Sequence, residues 1–344
     1  MNLIKRVMAA LILVLVATGL SFGQVQKKSG YTGAAFLKVG VGARAVAMGS
    51  ATTSLSGDVN QMFWNPAGIA LSNNQWQASF SYNRWIADLS HNAGAIAHDF
   101  GNFGTLGIGF VSLGVSGIAA DRDAVPSFLL STFTPYDNET GDTYDYLDLA
   151  VNITYARRFT DRLALGTSVK FIRQGIDNVS TTSYAFDFGS TYAIGYRNAV
   201  IGARINNLGK DLRFYDIGAP LPLVFSVGAS IDLYHNEQHT IKFMADATKP
   251  QDTDQLIFTG GEYSFSDYFA VRGGYKFNYS GVSESKRNEF DSEILDDVPR
   301  SEEGISFGAG LRVPMGENKI MVDYAFTEFG ILDNTHRFTV NVSF

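Results

Sequence analysis

The residues of this chain first weighed for catalysis are five histidines, His91, His98, His235, His239 and His336; none of its 344 residues is a cysteine. A histidine acts as a general base only beside the group whose proton it takes, and activates a nucleophile only when one lies within hydrogen-bond reach. No nucleophile motif accompanies any of the five. A hydrolase would have to use His91 or His336 with a nearby Ser or Asp, and both are expected to be solvated rim residues. The run from Asp137 to Asp142 is acidic, but it lacks the twelve-residue spacing and closing Glu of a calcium loop, so it reads as solvated acid. The 35 glycines form no phosphate-cradling loop, and a net charge of −7 argues against a nucleic-acid binder, which would show a basic face. The expectation is therefore a non-enzyme with no catalytic residue, metal or cofactor.

The elements that would position such residues are written as alternation. In Leu147–Phe159 the odd positions Leu147, Leu149, Val151, Ile153 and Tyr155 are apolar or aromatic, and they oppose Asp148, Asn152, Thr154 and Arg158. Leu163, Leu165, Val169 and Phe171 oppose Ala164, Gly166, Ser168 and Lys170, and Leu223, Phe225, Val227 and Ile231 oppose Ser226, Ser230 and Asp232. Period-two patterning predicts strands with one greasy and one wet face. The runs reach about ten residues, the length of a tilted strand across a bilayer, whereas sandwich strands cluster near five or six. The wet face carries full charges, including Asp148, Lys170, Asp232, Arg272, Lys276 and Asp323, which a membrane barrel would turn into its lumen.

The N-terminus supports the same compartment. Lys5 and Arg6 precede an apolar run from Val7 to Val16 and then small residues up to Gly23, the pattern of a secretory signal. Residues 1–23 are expected to be removed, and 24–39 to form a loosely ordered arm. Fourteen strand segments follow between residues 75 and 344, an even number, as antiparallel closure in a bacterial barrel requires. Their connections sort by length. Short turns fall on the side expected to be periplasmic, with both termini. The longest connections, Ser116–Asp145, Asn206–Pro222 and Ser280–Gly304, fall on the other side, and the first and last of these are acidic.

Residues 40–74 do not alternate. They are small, nearly uncharged, and close on Trp64-Asn65-Pro66-Ala67-Gly68. Such a segment, lying before the first strand, can fold back to fill a wide lumen as a hatch. Within it Asn65 is expected to cap a turn, Pro66 and Gly68 to mark the corner where plug becomes wall, and Trp64 to pack against the inner wall. At the other end Phe338, Val340, Val342 and Phe344 alternate to a terminal Phe, similar to the signal read by outer-membrane assembly machinery.

The order Gly42-Ala43-Arg44-Ala45, Met48-Gly49, an acidic Asp58 and then Trp64-Asn65-Pro66-Ala67-Gly68 resembles the PorV/PorQ family within the FadL-like outer-membrane barrels. The ending Asp333–Arg337 before a terminal Phe strand is also similar. The resemblance implies an all-β, fourteen-stranded transmembrane barrel with an N-terminal hatch, in contact with outer-membrane lipid. It implies a non-enzymatic component of type IX secretion that binds exported cargo or translocon partners at the surface. The alternative is a FadL-like channel for hydrophobic small molecules.

Overall fold

A computed structural model describes residues 30–72, 74–119, 143–253, 255–266, 268–277, 303–316 and 318–344. The expected signal segment 1–23, the acidic run at 137–142 and most of the two acidic connections lie outside the described residues. The strands are β1 (Trp76–Arg84), β2 (Ser90–Asp99), β3 (Thr105–Ala119), β4 (Thr143–Arg158), β5 (Leu163–Ile176), β6 (Val179–Ala193), β7 (Val200–Gly209) and a short pair, β8 (Leu212–Phe214) and β9 (Ile217–Ala219). They continue as β10 (Val224–His235), β11 (His239–Pro250), β12 (Leu256–Phe265), β13 (Phe269–Phe277), β14 (Ile305–Met315), β15 (Asn318–Glu328) and β16 (Asn334–Ser343).

All but β8 and β9 form one closed antiparallel barrel of fourteen strands, and β1 closes it by pairing with β16 from Gln77↔Ser343 to Arg84↔His336. Closure leaves no edge strand and satisfies every ladder internally, which a lipid environment demands. Each expected segment corresponds to one barrel strand, although most strands run a few residues further at the long-connection end. One connection there is tighter than expected. β5 and β6 continue to Ile176↔Val179, so only Asp177 and Asn178 turn the chain, with Asp177 at φ +53°.

The alternation resolves into outside and inside. Phe80, Ile108, Ile153, Phe171, Phe307 and Phe338 point outward and are about half exposed, whereas Asp148, Lys170, Asp246, Arg272 and Asp323 are buried in the lumen. In water such a belt would be an aggregation surface; against lipid tails it is the matching face. Aromatic groups ring both rims. Trp76 stacks on Phe344 at the short-turn rim, and Tyr324 stacks on His336 at the other. The positions expected to carry an assembly signal, Phe338, Val340, Val342 and Phe344, all lie on this outward face.

The lumen is filled by residues 33–72. Their path is a series of single turns: Ala35–Lys38, an α-turn at Ala43–Ala47, then Val59–Phe63 and Pro66–Leu71. The expected arm is therefore partly ordered. Phe36 and Ala34 are buried with Val111, Leu113 and Leu212, and Gly33 N–H donates to Pro220 O at 2.9 Å. Phe36 has an apolar site to enter, which offsets the ordering entropy that a free arm would retain. Residues 33–38 thus lie at the long-connection rim, opposite the rim that holds Phe344.

Candidate functional site

The hatch is locked to the wall by charge at one side and by backbone fit at the other. Gly42, at φ +83°, precedes the turn that carries Arg44, a conformation that only glycine adopts without strain. Arg44 meets Glu262 of β12 as a two-pronged pair, with Nε to Oε2 at 2.9 Å and Nη2 to Oε1 at 2.7 Å. Glu262 also takes Arg272 Nε at 2.6 Å, and Arg272 Nη1 reaches Asp323 at 2.6 Å. Asn341 then links Asp323 back to the hatch through Asn60, whose backbone N–H is capped by Asp58. Burial opposes the charge on Arg44, yet the adjacent Glu262 outweighs it and holds the guanidinium more firmly protonated than usual. A forked guanidinium–carboxylate pair of this kind is strong and directional.

A second anchor uses a buried carboxylate as a backbone acceptor. Asp246 of β11 takes Thr52 N–H at 2.8 Å, Thr53 N–H at 2.9 Å and the Thr53 hydroxyl at 2.7 Å. Arg204 of β7 donates its Nε to the same hydroxyl at 3.1 Å and stacks on Trp64 with its carbon 5.3 Å from the ring centroid. Where the hatch backbone touches the wall, the wall is glycine. A Cβ at Gly202 would strike Thr53 O, and one at Gly274 would strike Gly49 N, both inside 3.0 Å. Gly49 itself is at φ +62°, and its N–H donates to Ser306 Oγ at 3.1 Å.

The Trp-Asn-Pro-Ala-Gly stretch lies against the wall, where a Cβ at Gly166 of β5 would strike Pro66 and one at Gly189 of β6 would strike Asn65. Asn65 caps the turn at Pro66–Leu71 by accepting Ala67 N–H at 3.2 Å, and its amide donates to Thr53 O and Ser190 O. Ala67 is fully buried, and Gly68 accepts Gly57 N–H through its carbonyl while its Cα side faces Gln61. The corner into the wall comes later than expected, between Ser72 and Gln75. Pro66 suits the first position of a turn, so it starts a helix that packs on the wall instead of ending the plug. Met48 packs at zero exposure with Met244, Leu256 and Phe258.

Trp64 has two roles. Its Nε1 donates to Val41 O at 2.9 Å, which fixes the indole, and one face remains open to a cavity of about 520 Å³ on the long-connection side of the hatch. Phe36, Val41, Phe63, Val111, Leu113, Leu256 and Phe258 form its apolar surface, with Trp85 and Phe329 in edge-to-face contact at the mouth. Polar groups are interspersed: Lys170 with Asp187 at 2.7 Å, Lys276 with Glu303 at 2.5 Å, and Lys38 with Asp252 at 2.5 Å. Asp187 occupies the bulge where the β6–β7 register shifts, and Asn207, at φ +63°, holds it through a backbone N–H at 2.8 Å. Burial would raise the Asp252 carboxyl, but hydrogen bonds from Lys38 and Thr32, with the Lys38 charge, hold it below its usual range. Glu303, near the end of the acidic connection Ser280–Gly304, is nearly buried against Lys276.

The histidines do not gather. His336 bonds the Tyr324 hydroxyl at 2.8 Å, His239 bonds Tyr263 at 2.9 Å and His235 bonds Thr240 at 2.9 Å. His91 is not solvated, because the register of β2 turns it inward, to 1% exposure. Neither His91 nor His336 bonds a Ser or an Asp, and no group of three metal-ligating side chains occurs among the described residues. The chamber was not legible as a site in sequence. Its walls come from strands far apart in the chain, and the aromatic surplus alone could not distinguish lumen from rim.

No family model matches the chain, and no curated protein matches it. Solved structures do. The Ralstonia pickettii toluene transporter TbuX is 13% identical, with a TM-score of 0.53, over 88% of this chain and 97% of that one. The Pseudomonas putida toluene transporter TodX is 13% identical, with a TM-score of 0.54, over 88% of this chain and 96% of that one. A TodX deltaS2S3 mutant, described as a monoaromatic hydrocarbon channel, is 14% identical, with a TM-score of 0.57, over 88% and 97%. The chain therefore has the fold of a FadL-like outer-membrane barrel, a closed fourteen-stranded wall around an N-terminal hatch segment.

Proposed function

We propose that this chain is an outer-membrane conduit for small hydrophobic molecules, with the short-turn rim periplasmic and the long connections outside. The observation that carries this reading is the 520 Å³ chamber, apolar in most of its lining and backed by the hatch. A pocket of this size with a few placed polar groups is the usual form of a small-molecule site. The titles of the similar barrels, toluene transporters, point the same way. A solute enters from the long-connection side, rests against Trp64 and Phe36, and passes when the hatch shifts. Cells carrying the chain should take up a labelled apolar aromatic faster than cells without it. Val111→Phe with Leu113→Phe, which fills the chamber, should remove the difference. Equal uptake by all three would refute the reading.

A second reading is a secretion partner that binds exported proteins or translocon components. It is favoured by the match of Arg44, Met48-Gly49 and Trp64–Gly68 to the PorV/PorQ pattern. The acidic stretches it would use, 120–142 and 278–302, lie outside the described residues. Purification from detergent-extracted outer membrane should then recover secretion proteins or cargo, and a partner-free barrel would count against it.

A further inference from the structure

We infer that the chamber selects neutral amphiphiles that donate a hydrogen bond, over both bare hydrocarbons and organic anions; this rests on the small-molecule reading above. Two observations carry it. The first is charge balance. The cations at the chamber are Lys38, Lys170, Arg204 and Lys276. Three of them contact a carboxylate, in Asp252, Asp187 and Glu303. The fourth, Arg204, is balanced by Asp246 through the Thr53 hydroxyl, to which one donates and from which the other accepts. An incoming carboxylate would meet no uncompensated positive charge, and would lose its hydration on entering an apolar chamber.

The second observation is a shortage of donors. Asn152 of β4 is 1% exposed and lines the chamber, yet its Oδ1 has no donor among the described residues. Buried acceptors in native proteins are nearly always satisfied. A hydrocarbon would leave the Asn152 oxygen without a donor, and an anion has no proton to offer. A hydroxyl or a neutral N–H on the solute satisfies it while the apolar body lies along Phe36, Leu113 and Trp64.

The full chain provides its own reporter, since Trp64 and Trp85 line the chamber and Trp76, the remaining tryptophan, sits outside on the rim. In the Trp76→Phe background, red-edge tryptophan fluorescence should be titrated with benzyl alcohol, ethylbenzene and benzoate, which are close in size. Benzyl alcohol should bind saturably and benzoate at least tenfold more weakly. Asn152→Leu should shift the benzyl alcohol to ethylbenzene preference on the order of tenfold toward ethylbenzene, as expected for one hydrogen bond to a buried acceptor. Benzoate binding as tightly as benzyl alcohol in the unmodified chamber overturns the inference without need of the variant. So does an unchanged ratio in Asn152→Leu. Saturable binding of ethylbenzene alone would leave the hydrocarbon conduit standing and sink only the selectivity. Binding of none of the three would refute both.

Discussion

Arg44→Met should loosen the hatch without opening the wall. The Arg44–Glu262 pair is forked and nearly buried, with side-chain exposures of 17% and 7%. Removing one partner of a buried pair costs about 3–5 kcal/mol, because the other charge is left uncompensated. Here Glu262 retains Arg272 at 2.6 Å, so the lower end applies, about 3 kcal/mol, or on the order of 150-fold in the opening equilibrium. The effect should be local. Val46 N–H to Gly42 O, Gly49 N–H to Val46 O and Ser50 N–H to Ala45 O hold the Arg44 turn, and these amides should lose that much exchange protection. Amides of β5 should keep theirs. The double variant Arg44→Met/Glu262→Met should lose less protection than Arg44→Met alone, since Arg272 remains held by Asp323 and no lone charge is left. Arg84→Ala, which removes an exposed pair with Asp88, should change nothing measurable in the hatch. Equal loss of protection in hatch and wall, or none after Arg44→Met, would refute the lock.

The wall glycines predict a paired contrast. Gly202→Ala or Gly274→Ala drives a methyl into hatch backbone and should lower stability by about 1–3 kcal/mol, read as a fall in the melting temperature. Gly273→Ala, with open space around it, should be tolerated. The Asp252 carboxyl, held below its usual value by Lys38 and Thr32, should stabilise the strap at residues 32–38 above the ordinary carboxylate range, about pH 4. That stability is lost as the pH falls through the depressed value. The stability difference between the native chain and Asp252→Asn should therefore be constant from neutral pH to about pH 5 and vanish in stronger acid. A difference that grows on acidification would show the sign to be wrong.

Much of the fold was legible because alternation is a local property. A strand that faces lipid on one side and a wet lumen on the other must write apolar and polar residues in turn. Leu147, Leu149 and Val151 against Asp148 and Asn152 state that without reference to any neighbour. The hatch was legible for the opposite reason: a small-residue stretch without period two, such as Gly40–Leu71, cannot be wall. Less legible were features set by a partner far away. The arm at residues 33–38 looked unattached because most of the site that receives Phe36 comes from residues far along the chain, in β3, Leu212 and Leu221. His91 looked like a rim residue because its facing depends on the register of β2, one residue of which exchanges outside for inside.

Strand number, the lipid-facing side and the presence of a plug thus followed from residue order alone, since each is decided within ten or so neighbouring residues. What the plug touches did not. Arg44 meets Glu262, Thr53 meets Asp246 and Trp64 meets Arg204 only because closing fourteen strands brings residues 140 to 220 positions apart to the same level of the lumen. The chamber exists for the same reason. It is the volume left where small hatch residues and wall glycines pack closely below and bulky, polar side chains from separate strands fail to meet above, and no stretch of the chain contains that gap by itself.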